Sequence, residues 1–191
     1  MPRILYIHGF NSSPLSHKAK LLQAALVERG CGADYQCPQL SHWPDEAIRT
    51  LSADIERCQG DVALVGSSLG GYYATWLAEK YALRAVLVNP AVRPYLLLAA
   101  VRGAQRNYYT EQDYELTQEH LQQLHGLELE RITRPERYLL MVETGDEILD
   151  YRRAVERYAL ARQIIIDGGD HGFRNFPDHI DRILEFAETG L

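Results

Sequence analysis

Three cysteines, Cys31, Cys37 and Cys58, are too few and too irregularly spaced for a disulfide framework, a zinc site or a redox pair. They read as free, partly buried thiols of a reducing compartment. No apolar run approaches the roughly 20 residues that a membrane-spanning helix needs. The apolar stretch Ile4–Ile7 is too short for the core of a secretory signal, and no small-residue cleavage site follows it. The expectation is a cytoplasmic protein without a membrane partner. Positive charge is also scarce. Twenty Lys and Arg against 26 Asp and Glu leave a formal charge of −6, which argues against nucleic acid as the main partner. Nucleotide-binding loops are missing too. G-x-G-x-x-G is absent, and Gly70 is followed by Gly71-Tyr72-Tyr73 rather than the Gly-Lys-Ser/Thr of a phosphate loop. No H-E-x-x-H or comparable ligand spacing occurs, so neither a metal nor another cofactor is expected.

What is present is an alternation of short apolar runs with longer amphipathic ones over 191 residues, a length that suits one domain with a single core. The alternation predicts βαβ units around a mostly parallel sheet. Strands are expected at Arg3–His8, Ala33–Cys37, Val62–Val65, Ala85–Val88, Tyr138–Val142 and Gln163–Asp167. Helices are expected between them: one carrying Ala19, Leu22, Ala25 and Leu26 and stopped by Gly30, one opened by Pro44, one over Leu69–Tyr81, one over Asp150–Ala159, and one over Pro177–Glu188. Residues 91–136 break the pattern. They are rich in Tyr, Gln, Glu and Arg and show short helical pieces and no clear strand, which predicts a small helical cap over the sheet. Right-handed crossovers put the C-terminal end of every parallel strand on one edge, where ligands bind.

The residues with chemical potential fall just after strands. Gly66-Ser67-Ser68-Leu69-Gly70 matches G-x-S-x-G between a strand and a helix, the context of a nucleophile elbow. There the serine projects from a sharp turn, with the positive end of the following helix behind it. A serine hydroxyl is weak until a base takes its proton. His171, in the Gly-flanked loop after the last strand, is the candidate base. Asp146, in Thr144-Gly145-Asp146-Glu147, is the candidate carboxylate that would orient it. Asp150 is the runner-up and Asp170 a weaker one; loop aspartates often cap helices or turns instead. The order Ser68, Asp146, His171 is that of α/β hydrolases. An oxyanion needs donors, and the backbone N–H groups of Leu69 and of Phe10 in His8-Gly9-Phe10 are the candidates. His17, His42, His120, His125 and His179 lack such a setting and read as surface or packing residues.

With these residues placed, the chain resembles the α/β-hydrolase superfamily, and more narrowly the small bacterial YqiA-type esterases, a UPF0227-like group. The resemblance runs nearly end to end. It is carried by Tyr6-Ile7-His8-Gly9-Phe10-Asn11-Ser12-Ser13, by Gly66–Ala74, by Leu87-Val88-Asn89-Pro90-Ala91-Val92-Arg93-Pro94, by Thr144–Tyr151 and by Gly168-Gly169-Asp170-His171. It implies an α/β-hydrolase three-layer sandwich, Ser68, Asp146 and His171 as a triad, and hydrolysis of short-chain esters or acyl thioesters. The expected mechanism is two-step acyl transfer on a small-molecule substrate. Two rival classes remain. One is a silent ligand-binding protein on the same fold, with Tyr95, Tyr108, Tyr109 and Tyr114 lining a groove. The other is a metal-dependent hydrolase drawing on His8, Asp146, Asp170 and His171. Substrate-binding residues and oligomeric state are not legible.

Overall fold

A computed structural model describes residues 1–59 and 61–191. Six strands form one fully parallel sheet: β1 (Arg3–Ile7), β2 (Tyr35–Gln36), β3 (Val62–Ser67), β4 (Ala85–Val88), and, after an excursion, β7 (Tyr138–Glu143) and β8 (Arg162–Ile166). Their order in space is β2-β1-β3-β4-β7-β8. Strand pairing places Leu5 opposite Leu64, Val65 opposite Val86, and Leu87 opposite Leu140.

The four central strands are apolar on both faces because both faces are covered. Side chains alternate across the sheet with period two. Leu5, Ile7, Leu64, Leu87 and Leu140 face one layer, with α2 (Pro44–Arg57), α3 (Leu69–Tyr81) and α6 (Tyr151–Arg157). Ile4, Tyr6, Val65, Val86 and Met141 face the other, with α1 (His17–Glu28) and α7 (Ile180–Thr189). Each fully buried aliphatic side chain contributes about 1.5–3 kcal/mol by leaving water. α2 shows how sequence sets an element. Pro44 opens it with φ already helical, Asp45 and Glu46 favour its N-terminus, and Ile48, Leu51 and Ile55 form its buried stripe.

The excursion between β4 and β7 differs from its sequence reading. It contains α4 (Pro94–Leu98), then an antiparallel hairpin of β5 (Gly103–Arg106) and β6 (Asp113–Leu116), then α5 (Gln118–Gly126). The hairpin strands escape sequence reading because they are short and largely exposed, so they carry no apolar run. The expected strand over Ala33–Cys37 is also reduced. Residues Gly32–Asp34 form a 3-10 turn, and only Tyr35–Gln36 pair with the sheet edge. Among the described residues, no helix is long and apolar enough to cross a membrane.

The chain leaves β1 toward the α1 layer and leaves β3 toward the α3 layer. Neighbouring loops that part in opposite directions open a crevice at the carboxyl edge. The junction is tight. A Cβ on Gly70 would stand 1.9 Å from the carbonyl oxygen of Ile7. Gly70→Ala should therefore cost at least about 3 kcal/mol, read as a lower urea midpoint. A midpoint equal to wild type would contradict this packing.

Candidate active site

Ser68 stands between β3 and α3 with φ 56° and ψ −121°, a left-handed conformation that side chains rarely adopt. Three backbone hydrogen bonds hold it. The Ser68 N–H donates to the Val88 carbonyl at 3.1 Å, and the Ser68 carbonyl accepts from Gly71 at 2.9 Å and Ala91 at 3.0 Å.

The structure brings Ser68, His171 and Asp146 into one row. His171 Nε2 lies 3.1 Å from Ser68 Oγ. His171 Nδ1 lies 2.8 Å from Asp146 Oδ2 and 3.0 Å from Oδ1. An ionised carboxylate only accepts, so the ring proton sits on Nδ1 and the Nε2 lone pair faces the hydroxyl. The Asp146 side chain is 1% exposed. Burial pushes its carboxyl upward. The bond from His171 and the N–H groups of Leu149 and Ile148 outweigh burial and hold it below its ordinary 3.8. The Ile148 and Leu149 N–H groups donate to Oδ1 at 2.9 and 2.8 Å, which also fixes the carboxylate's orientation.

The other two aspartates lie elsewhere. Asp150 caps α6, accepting from the Arg152 N–H at 3.1 Å. Asp170 pairs with Arg174. Neither reaches the His171 ring.

The expected oxyanion donors flank Ser68. Gly9 lets the loop after β1 close on the elbow: a Cβ there would lie 3.1 Å from Ser68 Cβ and 3.3 Å from the Ser67 carbonyl oxygen. Among the described residues, neither the Phe10 N–H nor the Leu69 N–H has a protein acceptor. His8 steadies this loop. The Leu40 N–H donates to His8 Nε2 at 3.2 Å, so the His8 proton sits on Nδ1 and donates to the Gly9 carbonyl at 3.1 Å. Burial keeps the His8 imidazole below its usual range, in line with a neutral ring. Among the described residues no three His, Cys, Asp or Glu side chains converge as a metal cluster.

Three residues that hold the His171 loop were not read from the sequence. Glu143, the last residue of β7, is fully buried. Its carboxylate accepts from the Asp170 N–H at 2.7 Å, the Asn175 N–H at 3.2 Å and Asn175 Nδ2 at 3.0 Å. Asn89, just after β4, accepts from the Glu143 N–H at 3.0 Å and donates to the carbonyls of Asp170 at 3.1 Å and His171 at 3.4 Å. Lys18 on α1 donates to the Gly172 carbonyl at 2.8 Å. Burial pushes its ammonium down to about 8, against the pull of Asp146, Asp170 and Glu143. The available signal was a carboxylate ending an apolar strand, Leu140-Met141-Val142-Glu143.

A parallel sheet covered on both faces, with a serine on a left-handed turn after its third strand, defines an α/β-hydrolase fold. Solved structures agree. The chain superposes on mouse alpha/beta hydrolase domain-containing protein 10 with a TM-score of 0.68 at 17% identity, covering 97% of this chain and 90% of that one. It superposes on Est1E from Butyrivibrio proteoclasticus with a TM-score of 0.68 at 14% identity, covering 99% and 88%. Residues 3–188 match the model of UPF0227, described as an uncharacterised protein family, and the chain belongs to that family. UPF0227 protein YcfP of Salmonella arizonae is 24% identical over 190 residues, 98% of this chain and 99% of that protein.

Two outcomes test these contacts. The Asp146 carboxyl has its lowered pKa only when folded, so its contribution to stability is complete above about pH 4 and is lost as pH falls through the lower folded value. Asp146→Asn should flatten the acid side of the stability profile, followed by urea midpoints from pH 6 to 3; an unchanged slope would contradict it. Glu143→Leu leaves three partly buried donors unpaired. It should cost at least about 2 kcal/mol and speed amide exchange at Asp170 and Asn175. Unaltered exchange there would remove Glu143 from its holding role.

Proposed function

We propose that this protein is a serine hydrolase that cleaves carboxylic esters or acyl thioesters through an acyl-enzyme. The observation that carries the reading is the hydrogen-bonded row Ser68–His171–Asp146 ending on a serine in left-handed backbone. The likeness to Est1E and to the esterase domain of a Rhodothermus marinus protein supports the reading at the level of fold.

Ser68 Oγ attacks the substrate carbonyl carbon as its proton passes to His171 Nε2. Asp146 holds the imidazole with Nδ1 protonated and stabilises the imidazolium that forms. Negative charge gathers on the former carbonyl oxygen, within reach of the Leu69 and Phe10 N–H groups. Each such donor is worth about 3 kcal/mol in related chemistry. The intermediate collapses, the bond to the alcohol or thiol breaks, and that leaving group takes the proton from His171. Water then attacks the acyl-serine, gives its proton to His171, and the acid departs as Ser68 regains its proton. Apart from substrate and water, these steps use only side chains and backbone N–H groups of this chain.

Hydrolysis of 4-nitrophenyl acetate tests the reading. Ser68→Ala should lower kcat by at least about 10⁴-fold with an unchanged circular dichroism spectrum. Retention of wild-type turnover in Ser68→Ala would sink it.

A further inference from the structure

A cleft of about 40 Å³ is lined by Phe10 and Leu69, the expected oxyanion donors, and by His42, Asn107 and Tyr114. Sheet order indicates which part of a substrate enters it. β1 and β2 lie on one side of β3, whereas β7 and β8, whose following loops carry Asp146 and His171, lie on the other. A departing alcohol takes its proton from His171 and so leaves on the β8 side. The cleft, built by the loops after β1 and β2 and by the cap hairpin, faces the acyl side.

Among its polar lining residues, His42 has a tautomer fixed by a relay of hydrogen bonds. The Thr117 N–H donates to His120 Nδ1 at 3.1 Å, and the Thr117 hydroxyl, 2.8 Å from the same nitrogen and accepting from the His120 backbone N–H, turns its own proton toward it, so Nδ1 carries no proton and His120 Nε2 does. His120 Nε2 lies 2.9 Å from His42 Nδ1, which therefore accepts. The proton of a neutral His42 is then on Nε2. Burial keeps both imidazoles below their usual range. His120 is fully buried and stacks at 3.7 Å on Trp43, while His42 stacks at 4.3 Å on Tyr114. Two neighbouring polar side chains are engaged elsewhere. Tyr114 donates to Asn11 Oδ1 at 2.7 Å, and Asn107 Nδ2 donates to the Ser12 carbonyl at 2.9 Å. Among the described residues His42 Nε2 has no protein partner.

Resting on the ester-hydrolase reading, we propose that this cleft is an acyl subsite for a short acyl group bearing an oxygen acceptor, recognised by the His42 Nε2–H. Its volume holds about three water-sized groups, which suits a short acyl group bearing one oxygen.

Isosteric 4-nitrophenyl esters test the subsite. Glycolyl and propionyl esters differ only by OH for CH3, as do 3-hydroxypropionyl and butyryl esters. Each kcat/KM is divided by the uncatalysed rate, which removes the inductive effect of the hydroxyl. Wild type should favour the oxygen-bearing member of at least one pair by about tenfold or more. His42→Phe keeps a ring against Tyr114 but has no N–H, and should bring that ratio to about one. His42→Gln keeps an N–H donor and should retain part of the preference. A wild-type ratio near one in both pairs, or a preference that survives in His42→Phe, overturns the subsite. The wild-type ratio decides even if His42→Phe fails to fold. Absence of Ser68-dependent hydrolysis of all four esters would instead overturn the underlying serine-hydrolase reading.

Discussion

The site hangs on the backbone of one residue. Ser68 occupies a left-handed conformation that costs a side-chain-bearing residue on the order of 1–3 kcal/mol, and the surrounding sheet must hold it there. It does so through the carbonyl of Val88 at the end of β4 and the N–H of Ala91 in the loop beyond, with Gly71 closing the turn from the α3 side. The strain is local, while its restraint is distributed over β3, β4 and α3. That turn directs Oγ toward His171, 103 residues further along the chain.

A second layer of polar contacts sets where His171 stands. Ladder pairing between β7 and β8 extends past the strands: the Thr144 N–H donates to the Ile166 carbonyl at 2.8 Å and the Gly145 N–H to the Gly168 carbonyl at 2.7 Å. The Asp146 and His171 loops are thereby tied at their roots. Glu143 and Asn89 then grip the His171 loop from beneath, and every hydrogen bond involved is side chain to backbone or side chain to side chain. A buried carboxylate satisfied by N–H donors avoids the large cost of an unpaired buried charge. Within this loop Asp170 Oδ1 is buried without a partner among the described residues.

Much of the sheet was legible because its signal is one-dimensional. Val62–Val65, Ala85–Val88 and Tyr138–Val142 are apolar runs with turn residues beyond them, and parallel topology sends all their ends to one edge. Ser68, Asp146 and His171 could be nominated because each follows such a run. The cap hairpin could not, since Gly103–Arg106 and Asp113–Leu116 are too short and polar to show a strand period. Glu143 closes β7 one position past the strand expected from sequence, and the groups it holds lie 27 and 32 residues further on. His42 and His120 are 78 residues apart and acquire a shared tautomer only when the cap folds against α2. Sequence left His120 as a surface or packing residue; it is buried, and its second nitrogen sets what His42 presents to the cleft.

The central claim is that Ser68 is an activated nucleophile. Intact mass after exposure to a fluorophosphonate, for wild type and Ser68→Ala side by side, tests it most directly. The account predicts one phosphonyl addition on wild type, mapped to the peptide bearing Ser68, and none on the variant. A folded wild type that gains no mass, or a variant that gains as much as wild type, would contradict it.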